Sequence, residues 1–541
     1  MKIVIDSVLN HGYNYNHGRK DTAMSYRVNH LDKKTGVTYV YESSSFWDKE
    51  LKQSRNRQVC IGKLDPESGE LIPSKRLSQE RAQSLPTTAQ ATIVGPSIIL
   101  DALSERLGLR KLLKAACPPY YAEILSMAYY LACEGGPLSH SEYWMKSHAH
   151  PAKKPLTSQR ISEILGKIST NEKQAFLSSW MKSILENDYL CYDITSISSY
   201  SELNEYIRFG YNRDHEPLPQ LNLAMLFGEK SGLPAYYERI PGNISDVQSL
   251  HNLLETFKKL EVKSLHYVLD KGFYSKKNID ELLERRDQFT ISVPLHSNWI
   301  QHAIDEVGED IHGPEGYRVV GDEVLYVHSQ LYPWGEQHRR CYLHLYYNDL
   351  LRSEAVDRFN RLLIACKREL ETGTTTLEHE ELYESYFIQH TTAVRGLKVS
   401  YNMDAVHMYI KKYAGFQAIL STSFKDPIEA LWVYRNKDIV EKCFDDLKNS
   451  IDMKRLRMHT KETVDGRLFV QFIALILMSA LRSQMRTSSL IEKYTVRELL
   501  LEMEPLTQIR YTGKYGSIIT EVTKPQREIL SLLGIEIPSS T

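Results

Sequence analysis

Residues 1 to about 90 alternate short Tyr/Val/Thr-rich runs (SYRVNHL, GVTYVYESSSFW, RQVCIGKL) with the turn signals KKTG and DPESGE. That alternation predicts a small β-rich domain of hairpins. After the polar stretch SLPTTAQ the apolar period lengthens. Between about 95 and 187, IILDALSERLGLRKLLKAA, YYAEILSMAYYLACEG and TNEKQAFLSSWMKSILEN repeat apolar residues at helical spacing. KSHAHPAKKPLTSQRISEIL leads from a basic loop into a helix that opens at Thr157 or Ser158. The region has the look of a helix-turn-helix-like bundle. His148 and His150, in that loop, read as surface histidines.

From Tyr189 the rhythm becomes three strands (DYLCYDITSISSY, QLNLAMLFGE, GLPAYYERI), then a helix from Ser245 to Leu260 capped by Ser245 or Asp246. The strand VKSLHYVLD, the helix SKKNIDELLERR and the strand QFTISVP follow. Three strands joined by short turns and then alternating helices and strands predict a mixed α+β, α/β architecture with an RNase H-like sheet, its first part spanning 188–296. Residues 297–412 break the rhythm with short strands and a charged helix, Leu351–Glu371, and read as a β-rich insertion subdomain. The second part of the core, 413–485, resumes at AGFQAILSTSF, continues through PIEALWVYRNKDIVEKCFDDLKNSI and closes on an apolar helix, Val464–Met485. Residues 486–541 are a tail with weak signals.

Composition adds bounds. With 42% hydrophobic and 25% charged residues in 541, the chain has material for several cores, and its net charge of −1 makes it no globally basic nucleic-acid binder. Any such contact must use local basic patches. One lies in the N-terminal region (Arg19, Lys20, Lys33, Lys34, Lys52, Arg55, Arg57), where solvated hairpin surface is the competing account. Seven scattered cysteines without a C-x-x-C pair argue against a zinc ribbon or a disulfide framework and fit reduced thiols in a cytosolic protein. The N-terminus has no apolar signal core, so secretion is not indicated. The run Leu468–Leu481 contains Gln471 and falls short of the roughly 20 residues a bilayer requires. No membrane association is therefore expected.

Candidate chemistry concentrates in YRNKDIVEKCFDDLK, residues 434–448. Tyr434, Glu441 and Lys448 recur every seven residues with Lys437 between them, so on one continuous helix they would fall within roughly 40° of a line. Val440, Phe444, Leu447 and Ile451 mark its buried side. A carboxylate between cations and a phenol suits a metal-bound phosphodiester; ordinary pairing along a solvated helix is the alternative. Upstream, Asp193 interrupts the apolar strand CYDITSISSY, where a buried acid costs several kcal/mol without a partner. Asp270 ends VKSLHYVLD, at the C-terminal end of a strand where open α/β sheets place their sites. Two aspartates on neighbouring strands and a glutamate on a packed helix suit Mg²⁺ or Mn²⁺, with two such ions able to serve an in-line displacement at phosphorus.

YDITSI, GYNRDHEPLPQLNLAMLFGEKSGLPAYYERIPGNISD, VLDKGFYS and Y-x6-E-x6-K, in that order, resemble the signatures of insertion-sequence DDE transposases, and more narrowly the group with a Tyr-Arg-Glu-Lys helix and a β-rich insertion before the glutamate. The similarity covers roughly 190–485. It implies that Asp193, Asp270 and Glu441 bind the catalytic metals, and that the protein nicks double-stranded DNA at terminal inverted repeats and joins the freed 3′-hydroxyl to target DNA. It implies a phosphate grip by Tyr434 and Lys448, with Arg435 beside them. The position of the family's arginine falls on Lys437, which keeps the charge and loses the bidentate fork. Some relatives flip a terminal base against an insertion-domain tryptophan; Trp299 and Trp334 are the candidates, with packing as the alternative. Asn243 and Asp246 match a Gly-Asn-x-x-Asp turn of the family. Arg455, Arg457, His459 and Lys461 form a basic cluster expected to meet the DNA backbone. The helical region 95–187 is a candidate DNA-binding domain, and a homodimer assembled on DNA in the cytoplasm of a bacterial or archaeal cell is expected. A catalytically inactive DNA-binding descendant and an RNase H-like nuclease without strand transfer are the competing readings.

Overall fold

The structure is a computed structural model that describes residues 25–48, 53–74, 89–184, 188–200, 205–214, 216–260, 262, 265–376, 379–392, 396–451, 455–456, 460–511 and 516–536. It divides into two units, one of residues 1–91 with 509–518 and 540–541, the other of 92–508 with 519–539.

In the first unit, β1 (Ser25–Leu31), β2 (Thr38–Asp48), β3 (Gln53–Leu64) and β4 (Leu71–Pro73) form an antiparallel meander. The first turn closes because the Asp32 carboxylate accepts from Lys34 N–H and Thr35 Oγ1, while Gly36 supplies a φ of 67°. Arg55 and Arg57 are exposed on β3, and Lys33 and Lys34 are exposed in the turn. Arg19, Lys20 and Lys52 of the expected basic patch lie outside the described residues. A short strand, β5 (Ala89–Ile93), follows.

The second unit begins with six helices, α1 (Gly95–Arg106), α2 (Leu109–Ala116), α3 (Tyr121–Cys133), α4 (Ser141–Ser147), α5 (Ser158–Lys167) and α6 (Thr170–Ile184). Thr157 caps α5 by accepting from Arg160 N–H at 3.2 Å. His148, expected at the surface, is buried and reaches Glu504 at 2.8 Å.

Next come β6 (Leu190–Ser199), β7 (Gln220–Gly228) and β8 (Pro234–Pro241), then α7 (Asp246–Lys259), β9 (His266–Leu269), α8 (Lys276–Arg285) and β10 (Gln288–Val293). Ser245, not Asp246, caps α7. β6, β7 and β8 are antiparallel neighbours, β9 runs parallel to β6, and β10 parallel to β9. β6 and β7 are buried almost throughout, on both faces of the sheet.

Residues 297–412 do not stand apart as one β-rich body. After α9 (Asn298–Val307), the strands β11 (Tyr317–Val320), β12 (Glu323–Trp334) and β13 (Arg339–Tyr347) extend the central sheet. They do so through β16 (Phe416–Ser421), which pairs antiparallel with both β13 and β10. Only α10 (Asp349–Thr372), α11 (Glu380–Tyr386), β14 (Phe387–Thr392), β15 (Gly396–Tyr401) and α12 (Met403–Met408) surround a second small core, with Phe359, Leu363, Cys366, Leu370 and Tyr386 inside it. The physical reason is edge satisfaction: β16 gives β13 a hydrogen-bonding partner that an isolated insertion would have to supply itself.

The closing segment is α13 (Pro427–Arg435), α14 (Asp438–Asp445), a short strand β17 (Arg455–Leu456) parallel to β6, and α15 (Lys461–Thr487). α15 is long and apolar enough to cross a membrane, yet 94% of its most apolar stretch is buried inside the protein. It packs on α3 and α5. At Gly466 the Leu165 backbone of α5 approaches so closely that a Cβ there would collide with it.

Candidate active site

The two aspartates are brought together by strand register. Tyr192 pairs with Leu269 across the parallel β6–β9 ladder, so Asp193 and Asp270 are the next residues along two adjacent strands. Among the described residues no cation hydrogen-bonds to Asp193; its Oδ1 accepts from Ile194 N–H at 2.8 Å. Burial pushes its carboxyl up to about 6, against the pull of that N–H, Arg213 and Lys437, and nearby Asp270 pushes it further up.

Asp270 is held differently. It caps the turn Lys271–Phe273, its Oδ1 accepting from Lys271 N–H at 2.7 Å and from the Tyr434 hydroxyl at 2.8 Å. Its Oδ2 lies 3.1 Å from Lys437 Nζ. Burial opposes ionisation, but Lys437, Tyr434 and the Lys271 N–H outweigh it and hold this carboxyl below its ordinary value. The same carboxylate, together with burial, pushes the Tyr434 phenol well up.

The stretch 434–448 is not the single helix its spacing predicts. α13 ends at Arg435, and Lys437 N–H bonds to Tyr434 O and Val440 N–H to Lys437 O, a three-residue pattern that forms a tight turn. The last turn, Asp446–Ser450, widens into a π-helix. The break splits the stripe. Tyr434 and Lys437 face Asp270, whereas Glu441 and Lys448 line a cavity of about 410 Å³ with Asp193, Thr195, Arg213 and Asp214. The buried side is as the pattern predicts, with Val440, Phe444, Leu447 and Ile451 all in the core.

Lys448 Nζ contacts both oxygens of Asp214, at 2.7 and 2.8 Å. Arg213 pairs with Asp246. A Cβ on Gly272 would lie 2.9 Å from Asp246 Oδ2, so the glycine after Asp270 lets α7 seat its first turn against the Asp270 loop. Arg213 and Asp214 were missed as site residues from sequence. They sit in the GYNRDHEP stretch, whose run of charges just before an apolar strand was the available signal.

The other expected DNA contacts are dispersed. Arg435 pairs with Glu323 at 2.8 Å and does not line the cavity. Arg455 lies on β17 beside Ser198, and Arg457 and His459 lie outside the described residues. Lys461 pairs with Glu205. Asn243 is exposed in the turn before α7. Trp334 is buried with its Nε1 donating to Asp280 at 2.7 Å; Trp299 donates to the Tyr274 hydroxyl at 2.7 Å and stands beside Tyr332 at a separate cavity of about 350 Å³.

Among the described residues, one group of three His, Cys, Asp or Glu side chains has its ligand atoms within 4.8 Å of one another: Cys366, Glu369 and His379. Its Glu369 Oε2 is already engaged by His379 Nδ1 at 2.8 Å and by the Tyr383 hydroxyl, which accounts for the cluster as a staple between α10 and α11. Asp193, Asp270 and Glu441 do not converge to that distance. Their donor set is nonetheless three carboxylates, with Asp193 half-buried and engaged only by a backbone N–H, which fits a hard divalent cation rather than zinc.

The family model described as "Transposase DDE domain" matches residues 187–477, more than half of the chain. The chain belongs to that family, and its mixed α/β fold agrees with the membership. Among solved structures the chain is similar to a piggyBac transposase synaptic complex with hairpin DNA, at 9% identity and a TM-score of 0.32 over 70% of this chain and 58% of that one. The chain thus spans less than two thirds of the length of that transposase. No curated protein gives a significant match.

Proposed function

We propose that this chain is a DNA transposase of the insertion-sequence type that cleaves and joins DNA by phosphoryl transfer, with Asp193, Asp270 and Glu441 as its carboxylate triad. The observation that carries the reading is that Asp193 in β6 and Asp270, one residue past the end of β9, follow a paired position of two adjacent parallel strands, with Glu441 lining the same cavity as Asp193. The strand order β8-β7-β6-β9-β10, three antiparallel then two parallel, supports an RNase H-like core. In such a layout acids from two neighbouring strands and one helix can serve a common centre.

The three carboxylates would hold Mg²⁺ or Mn²⁺, in two ions, which supply charge neutralisation for the attacking and leaving oxygens. The chain's own part is positioning. Arg213 and Lys448 present positive charge at the cavity wall for a DNA phosphate, each now balanced by an acid, Asp246 or Asp214. Tyr434 orients Asp270. Water is the first nucleophile and the freed 3′-hydroxyl the second, so the same centre serves cleavage and joining. The partners are double-stranded DNA, as terminal inverted repeats and target, with a second copy of the chain on the paired ends; the setting is the cytoplasm.

The test is incubation of the purified chain with DNA carrying the element's own ends and Mn²⁺, scoring nicked and joined products separately. Metal-dependent joining that disappears in Asp193→Asn establishes the transposase reading. Nicking without any joined product would replace it with a nuclease.

A further inference from the structure

Lys437, at the position of the family's arginine, is turned onto an acid of the proposed triad. Its Nζ lies 3.1 Å from Asp270 Oδ2 and 5.2 Å from the centre of the Tyr434 ring, so it is held on two sides. Its side chain is 22% exposed, and its backbone sits in the tight turn between α13 and α14 that separates Tyr434 from Glu441. Lys437 draws down both the Asp193 and the Asp270 carboxyls, so one ammonium acts on both acids of the strand pair. Asp270 is thereby satisfied through both oxygens, by Tyr434 and the Lys271 N–H on one and Lys437 on the other. The three acids do not converge while it is so held.

We propose that Lys437 is an internal counter-cation of Asp270, exchanged for the divalent ion when the site loads. The exchange adds one unit of positive charge to the site: a divalent ion takes the place of the ammonium on Asp270, beside the neighbouring Asp193 carboxylate. A lysine suits this exchange better than an arginine, because a single flexible ammonium leaves a carboxylate without breaking a bidentate pair. The inference rests on the metal-binding reading of Asp193 and Asp270.

Titration of the full-length protein with Mn²⁺ alone, followed calorimetrically at constant ionic strength, tests it. Lys437→Met and Lys437→Gln should bind Mn²⁺ about fivefold more tightly than wild type, since the competing ion pair is gone. Lys437→Arg should bind no more tightly than wild type, and Asp270→Asn should lose the site. Thermal melting of each variant verifies folding. Equal or weaker Mn²⁺ binding by both neutral variants, with Asp270→Asn still deficient, overturns the exchange and leaves the metal reading standing. Mn²⁺ binding that Asp270→Asn does not alter overturns the metal reading and the exchange with it.

Discussion

The Tyr434 hydroxyl donates to Asp270 Oδ1 over 2.8 Å, joining two residues 164 positions apart. The bond ties the end of β9 to the last turn of α13, so the second acid is oriented by the helix that precedes the third. Tyr434 thus has work inside the protein before any DNA is present.

Asp193→Asn, Asp270→Asn and Glu441→Gln each keep the side chain's size and remove its charge. Each should lower strand cleavage at least about a hundredfold while leaving end binding near wild type, because the loss falls on transition-state charge. Gel-resolved cleavage and binding assays on the same DNA check this. Normal cleavage by any one of the three removes that residue from the triad.

Tyr434→Phe should cost about 1 kcal/mol at neutral pH, a low figure for a hydrogen bond to a charge because Asp270 is 40% exposed. The sign with pH follows from the lowered Asp270 value. A depressed carboxyl stabilises the fold above its unfolded value of 3.8 and loses that contribution as pH falls through the folded value. The difference between wild type and Tyr434→Phe in denaturant melts should therefore shrink toward zero on acidification. A gap that persists at low pH would mean that the tyrosine acts through packing.

His266 is buried between Tyr189 and Phe424, and burial pulls its imidazole down to about 4 from 6.5. An unfolded chain takes up this proton as pH drops through 6.5, whereas the folded one resists until about 4. Stability should fall over that window, by on the order of 1–3 kcal/mol from this group. His266→Gln should flatten that part of the curve in denaturant melts, and an unchanged slope would assign the acid sensitivity elsewhere.

Gly466→Ala places a methyl on the Leu165 backbone, which has no flexible end to move aside. A loss of about 2 kcal/mol or more is expected, seen as a lower denaturant midpoint. A smaller loss would mean that α5 and α15 separate without cost.

Much of the fold was legible because it is local. The strand QLNLAMLFGE, the cap at Ser245 and the apolar face Val440-Phe444-Leu447-Ile451 each need only neighbours in sequence to be read, and each is found in the structure. What failed was non-local. The strands of 317–347 carry no mark of their partner, so their union with the central sheet through Phe416–Ser421 could not be read from periodicity. His148 looked like a loop residue until Glu504 supplied its partner from far along the chain.

The candidate site divides along the same line. The sequence by itself determined which acids stand out, because a carboxylate inside an apolar strand or just past one needs a partner wherever the chain folds. It also placed the family's motifs in order. Only the tertiary structure decided that Asp193 and Asp270 are register neighbours and that the Tyr434–Lys448 stripe breaks at Asn436 and Lys437, giving its front half to Asp270 and its back half to the cavity. Seven-residue spacing reports a shared face only while the helix is continuous. Continuity here yields to the contacts at each end, Tyr434 and Lys437 on Asp270, Lys448 on Asp214, which come from strands and loops far away in sequence.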